Sequence, residues 1–256
     1  MKSKFTTLIL LGLCALGYSS NLANPASALP AANVLVGASY NLGGYSLTNL
    51  NIPALFNRFH GRIEYAPLNY INIGIDLGAT QIDVDRYVSS SDTMELFHGK
   101  YGFSGGAHLK LSTPLMLKKT MSLFTIGQVT TFSSENDFGA TYGGIDGAGV
   151  IGFQFRIPNF GYISIGPMVY VIQGDAKGTD GKSTYYSNGN NVRGWIAFDY
   201  YLKGNDLSKG NAYLSVEFSA SPKANYSSRI PIQEFSVSVS LGYLSGKIYG
   251  VDKEPR

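Results

Sequence analysis

The chain has 256 residues, of which 14% are charged, and a formal net charge of +3 at pH 7. Charge this sparse falls well below the roughly 25% of soluble domains and leaves no electrostatic footprint for binding nucleic acid. A single cysteine, Cys14, excludes an internal disulfide framework and a cysteine-held metal.

The first element in chain order is an export segment. Lys2 and Lys4 precede an apolar run from Phe5 to Leu16, and Ala26-Ser27-Ala28 offers a small-x-small cleavage site. This pattern predicts a secretory signal peptide over 1–28 and a mature chain without cysteine. No later apolar run reaches about 18 residues, so no membrane-spanning helix is expected.

Ten segments of period-two alternation follow, near 33–41, 57–66, 70–82, 96–112, 120–132, 143–157, 161–173, 191–203, 211–221 and 234–249. The fourth is the cleanest. Its odd positions from Phe97 to Leu111 are apolar or glycine, and its even positions are polar, charged or glycine. One unbroken strand is predicted there, with Phe97 on the oily face and His98, Lys100, His108 and Lys110 on the wet face. Ordinary strands run about 5 to 6 residues, whereas a tilted strand needs about 9 to 11 to cross a bilayer.

Connections between the segments alternate in length. Short ones fall at 67–69, 114–119, 158–160 and 204–210, and long ones at 42–56, 83–95, 133–142, 174–190 and 222–233. A three-residue loop Pro67-Leu68-Asn69, with Asn69 left-handed, would set Tyr65 against Ile71 and His60 opposite Asp76. Aromatic residues gather at segment ends, with Tyr65, Phe155, Tyr200 and Tyr249 on the short-turn side and Phe59, Phe97 and Phe235 on the other.

Over 29–249 this pattern resembles the bacterial outer-membrane β-barrel superfamily, specifically its small monomeric members. The resemblance implies an all-β, closed, antiparallel up-and-down transmembrane barrel of about 10 strands (8 to 12), with short periplasmic turns and long extracellular loops. It also implies outer-membrane localisation, lipid around the wall, and periplasmic chaperones and the barrel-assembly machinery as partners. A short periplasmic tail, 250–256, departs from the common ending on a terminal aromatic. Alternation alone also fits a soluble barrel with the oily face inside. Strand length, low charge and the alternating connections favour the membrane.

With the polar face inward, the lumen should hold Arg58, His60, Arg62, Glu64, Asp76, His98, Lys100, His108, Lys110, Gln154, Arg156, Arg193, Asp199 and Glu217, a mixed and mostly basic set. Ten strands enclose little more than their own side chains, so the expectation is a charged plug and a structural or cell-surface role. The alternative is a narrow porin-like channel for small, anionic solutes. A barrel-borne lipid-modifying enzyme would need a nucleophile, a base and a carboxylate in reach. His60 opposite Asp76 is the best pair, no serine is placed beside it, and catalysis is not expected. Three isolated histidines argue against a metal and no cofactor is implied. Asp83, Asp85 and Asp92 read as solvated loop carboxylates, and the polar, tyrosine-bearing stretch Lys177–Asn191 suits a surface ligand such as an adhesion partner or glycan.

Overall fold

A computed structural model of the protein describes residues 31–47, 52–87, 95–118, 120–158, 160–188, 192–203, 211–221 and 235–245. The expected signal peptide, Asp92, Tyr249 and the tail 250–256 lie outside the described residues.

The described residues form twelve strands and no helix. They are β1 (Val34–Leu47), β2 (Ile52–Leu68), β3 (Ile71–Tyr87), β4 (Glu95–His98), β5 (Gly102–Ser112), β6 (Met121–Glu135), β7 (Thr141–Ile157), β8 (Gly161–Lys177), β9 (Ser183–Ser187), β10 (Val192–Lys203), β11 (Asn211–Ala220) and β12 (Phe235–Leu244). Ten of them make one antiparallel ring, β1-β2-β3-β5-β6-β7-β8-β10-β11-β12, closed by the pairing of β12 with β1; β8 pairs directly with β10. Closure leaves the wall no unpaired edge, which is how a sheet satisfies its backbone where water is absent. β4 extends the ladder on β3 above β5, and β9, inside the stretch expected to be a loop, folds back on β8.

Along the lower wall the alternation resolves as expected. On β3, Ile73, Ile75 and Leu77 point outward and are about half exposed, while Asn72, Asp76 and Thr80 point inward and are fully buried. Toward the long-loop end the polarity of the two faces reverses without any change of strand. Outward positions become Gln81 and Asp83 on β3, Thr131, Ser133 and Glu135 on β6, and Gln173, Asp175 and Lys177 on β8. Inward positions become Phe56, Ile82, Val84, Phe132, Tyr142, Ile172 and Ala176, all buried in one apolar cluster. The barrel therefore has a lower zone that is oily outside and charged inside, and an upper zone built like a soluble protein. The reversal explains why several segments end early in the sequence pattern. β1, β2, β3 and β8 each run several residues further than their alternation predicts, into stretches expected to be long loops.

The reversal also corrects the reading of Phe97 to Leu111. The strand breaks at residues 99–101, so that five residues (His98 to Gly102) span the same stretch of β3 as four (Asp83 to Thr80). That extra residue is a bulge, and it flips every side chain above it to the opposite face. Phe97 turns inward, 1% exposed, against Tyr142 with ring centroids 4.6 Å apart. His98 and Lys100 are not in the lumen: their side chains are 80% and 66% exposed and ion-pair with Asp83 at 2.6 Å and Asp137 at 2.5 Å. The hydrogen bond to Asp137 holds Lys100 above its ordinary pKa and Asp137 below. Gly99 occupies the bulge because a Cβ there would lie 2.0 Å from Ser134 Oγ and 2.7 Å from the Ile82 carbonyl oxygen. The alternation continues unbroken in the sequence because the bulge and the polarity reversal cancel.

The first short turn differs too. Tyr65 pairs with Ile73, not Ile71, and Arg62 rather than His60 stands opposite Asp76. The turn proper is Asn69-Tyr70, with Tyr70 left-handed at φ 69°. The register shifts between Tyr65 and Leu68, where buried Ala66 donates its N–H to Asn33 and accepts from Ala32 on the β1 side. A displacement of two residues leaves every side chain on its predicted face, so alternation cannot detect it.

Candidate functional site

The lower lumen is organised by glycines on β3. In the register, Gly74 lies between Glu64 on β2 and His108 on β5, and Gly78 between His60 and Ser104. With no side chain in the way, residues two strands apart meet over the glycine. His108 Nε2 bonds Glu64 Oε2 at 3.2 Å while its Nδ1 bonds Asp76 Oδ2 at 2.9 Å. Two ring nitrogens each donating to a carboxylate is the hydrogen-bonding pattern of the imidazolium. Arg62 Nε donates to the other oxygen of Asp76 at 2.7 Å, and Asn72 Nδ2 to the other oxygen of Glu64 at 2.6 Å.

An alanine Cβ at Gly74 would sit 2.4 Å from the His108 ring and 2.8 Å from the Ile63 carbonyl oxygen. Gly74→Ala should therefore destabilise the barrel by about 1–3 kcal/mol, the usual cost of overpacking. Denaturant unfolding of the refolded protein measures this, and a neutral substitution would mean that His108 does not reach over β3.

A second group crosses the lumen at the height where the polarity reverses. Arg58 on β2 ion-pairs with Asp146 on β7, nearly opposite in the ring, and its guanidinium lies 5.2 and 5.3 Å from the ring centroids of Phe56 and Phe132. Asp146 also accepts from the Tyr170 hydroxyl at 3.1 Å. Tyr170 stacks on Tyr45 at 4.8 Å, and Arg193 lies over both rings at 4.8 and 5.3 Å while donating to the Gly44 carbonyl at 3.4 Å. β1, β2, β6, β7, β8 and β10 are tied together by this layer. At the short-turn end, Leu35, Ala66, Tyr162, Tyr201, Tyr213 and Leu244 form a smaller buried cluster.

Of the residues expected in the lumen, Arg58, His60, Arg62, Glu64, Asp76, His108, Lys110, Gln154, Arg193, Asp199 and Glu217 are buried within it. Asp199 accepts from Ser215 at 2.6 Å and Glu217 from the Trp195 indole at 3.2 Å. Arg156 is only half-buried, near the short-turn end of β7. Asp146 was missed, although it shares the even parity of Gly152, Gln154 and Arg156 and was legible by that signal. With Asp146 counted and His98, Lys100 and Arg156 removed, the buried charges among the described residues are balanced rather than mostly basic. Arg58, Arg62, Lys110 and Arg193 face Glu64, Asp76, Asp146, Asp199 and Glu217, with His108 between two of the acids.

The two-residue register shift dissolves the His60–Asp76 pair and brings a serine instead: His60 Nε2 lies 2.9 Å from Ser104 Oγ. Ser104 donates its own proton to the Thr131 carbonyl at 3.1 Å, so the imidazole donates to the hydroxyl rather than activating it. Both side chains are fully buried. Asp83 is taken by His98, and the side chain of Asp85 lies outside the described residues.

No protein-family model and no curated sequence matches the chain. Among solved structures it is similar to the outer membrane protease OmpT from Escherichia coli, at 10% identity and a TM-score of 0.41, over 85% of this chain and 96% of that one. It is also similar to the CymD monoaromatic hydrocarbon channel, at 9% identity and a TM-score of 0.32, over 85% and 89%. Neither lends this chain a residue role. On its own geometry the chain is a closed ten-stranded antiparallel up-and-down β-barrel of the transmembrane type, oily outward and charged inward along its lower wall.

Proposed function

We propose that the protein is an outer-membrane barrel with a structural or cell-surface role, its interior sealed by its own side chains. The observation that carries this reading is the cross-lumen layer of Arg58, Asp146, Tyr45, Tyr170 and Arg193, buried at the boundary between the two zones. A conducting path would have to displace two arginines from the aromatic rings they pack against and separate a buried ion pair. Ten strands give a ring too narrow to route around them.

The outward belt that includes Phe59, Ile63, Ile75, Leu77, Leu109, Ile151 and Val169, each 45% or more exposed, supports insertion in a bilayer. In this reading the lower zone spans the outer membrane, the upper zone projects outward, and the partners are lipid and the machinery that chaperones and inserts barrels. Heat-modifiable migration on gels and fractionation with outer membranes test the location; a chain soluble without detergent would overturn it. Planar-bilayer recording of the refolded protein tests the seal. A silent barrel is expected, and reproducible ion-selective steps would replace the sealed reading with a channel.

A further inference from the structure

The bulge at residues 99–101 does more than turn Phe97 inward. It interrupts the regular ladder, with Gly99 still donating its N–H to the Ile82 carbonyl of β3 at 2.9 Å, and a cleft of about 380 Å³ lies between this segment and the β6–β7 hairpin, in the upper zone. On one side stands Tyr101, 54% exposed. Opposite are Ser133, Glu135 and Asn136 of β6 and the turn, and Thr141 at the start of β7. The backbone of the cleft is tied down, with the Lys100 N–H on the Glu135 carbonyl at 2.7 Å and the Ser134 hydroxyl on the Lys100 carbonyl at 2.8 Å. Asn136 Oδ1 accepts from the N–H groups of Phe138 and Ala140, which fixes its amide and leaves its NH₂ as the donor.

We propose that this cleft binds a neutral sugar residue, packed on the Tyr101 ring and hydrogen-bonded by Glu135, Asn136, Ser133 and Thr141. A sugar ring presents an apolar C–H face and a rim of hydroxyls that each donate and accept. The cleft matches it with one aromatic face and a mixture of carboxylate, amide and hydroxyl groups. The cation that lines the cleft, Lys100, is already paired with Asp137, and the carboxylate of Glu135 in the same lining opposes a phosphate or an acidic sugar. Bulges recur where a strand must re-aim a side chain beside a site, and here the side chain is Tyr101. The assignment does not depend on the lumen being sealed.

The test is saturation-transfer NMR on the full chain in amine-oxide micelles, which carry no sugar, with methyl α-mannoside, methyl β-galactoside and methyl N-acetyl-β-glucosaminide as probes. At least one should show transfer to its ring protons, reduced at least tenfold in Tyr101→Ala and retained in Tyr101→Phe. Heat-modifiable mobility controls for folding, since Tyr101 is on the surface. No transfer to any of the three, or equal transfer in Tyr101→Ala, would overturn the site. The source of the sugar is read by repeating the measurement in phosphatidylcholine vesicles with and without a monogalactosyl diglyceride. Loss of the signal in glycolipid vesicles assigns the site to membrane sugars, and its persistence assigns it to soluble glycans.

Discussion

Replacing Asp146 by Ala should cost the barrel about 3–5 kcal/mol, because it leaves the Arg58 guanidinium buried without its counter-charge. Arg58 is 1% exposed and flanked by Phe56 and Phe132, so water cannot take the place of the carboxylate without opening the layer. Tyr170 loses its acceptor in the same step. Removing both charges at once tells a different story. Arg58→Met with Asp146→Leu keeps the volume and should be near neutral, or stabilising by about 1–4 kcal/mol, since neither ion then has to be desolvated. The one tryptophan, Trp195, is buried in the adjoining cluster and reports unfolding in denaturant. A single Asp146→Ala change costing under about 1 kcal/mol would show that the pair is not sequestered as described. Intermittent conductance in Asp146→Ala, absent from the double variant, is expected if this layer is the seal.

The second large effect concerns the bulge. Replacing Gly99 by Val puts a Cβ 2.0 Å from Ser134 Oγ and 2.7 Å from the Ile82 carbonyl oxygen and so forbids the bulge; a regular strand through the same residues then sets His98 against Val84, forcing Phe97 outward and His98 into the apolar cluster around Tyr142. Loss of a buried Phe contact costs about 3–5 kcal/mol, and an imidazole without partners adds about 1–3 kcal/mol. Unfolding should therefore shift far more in Gly99→Val than for substitution of an exposed residue. The faces can be read directly in a Cys14→Ser background by thiol labelling of intact barrels. His98→Cys should label quickly and Phe97→Cys should be protected. The opposite order would restore one continuous strand from Phe97 to Leu111.

The candidate lumen was largely legible because alternation reports parity, and parity decides the face. Eleven of the residues assigned to the interior from their even or odd position are buried there, from Arg58 on β2 to Glu217 on β11. Who touches whom was not legible. A three-residue first turn pairs His60 with Asp76, whereas the structure gives Asp76 to Arg62 and His108 and gives His60 to Ser104. A shift of two residues at Ala66 separates these arrangements, and both place the same side chains inside. Asp146 carried the right parity, but its partner stands almost opposite in the ring, and no local pattern expresses a contact across a lumen.

Ten wall strands, their antiparallel order, and an oily and a wet face follow from period, run length and connection length, all local quantities that the chain carries in its residue order. The register of β2 on β3, the cross-lumen ion pair and the two-zone plan arise instead from contacts between distant parts of the chain. Above the belt the rule for inside and outside reverses, and one extra residue at Gly99 reverses it again. Two changes of sign leave an alternation that looks continuous from Phe97 to Leu111. What separates them is the pairing partner of each backbone, Gly102 with Thr80 but His98 with Asp83. That pairing is fixed by closure of the ring and packing of the clusters inside it, not by any neighbour in the chain.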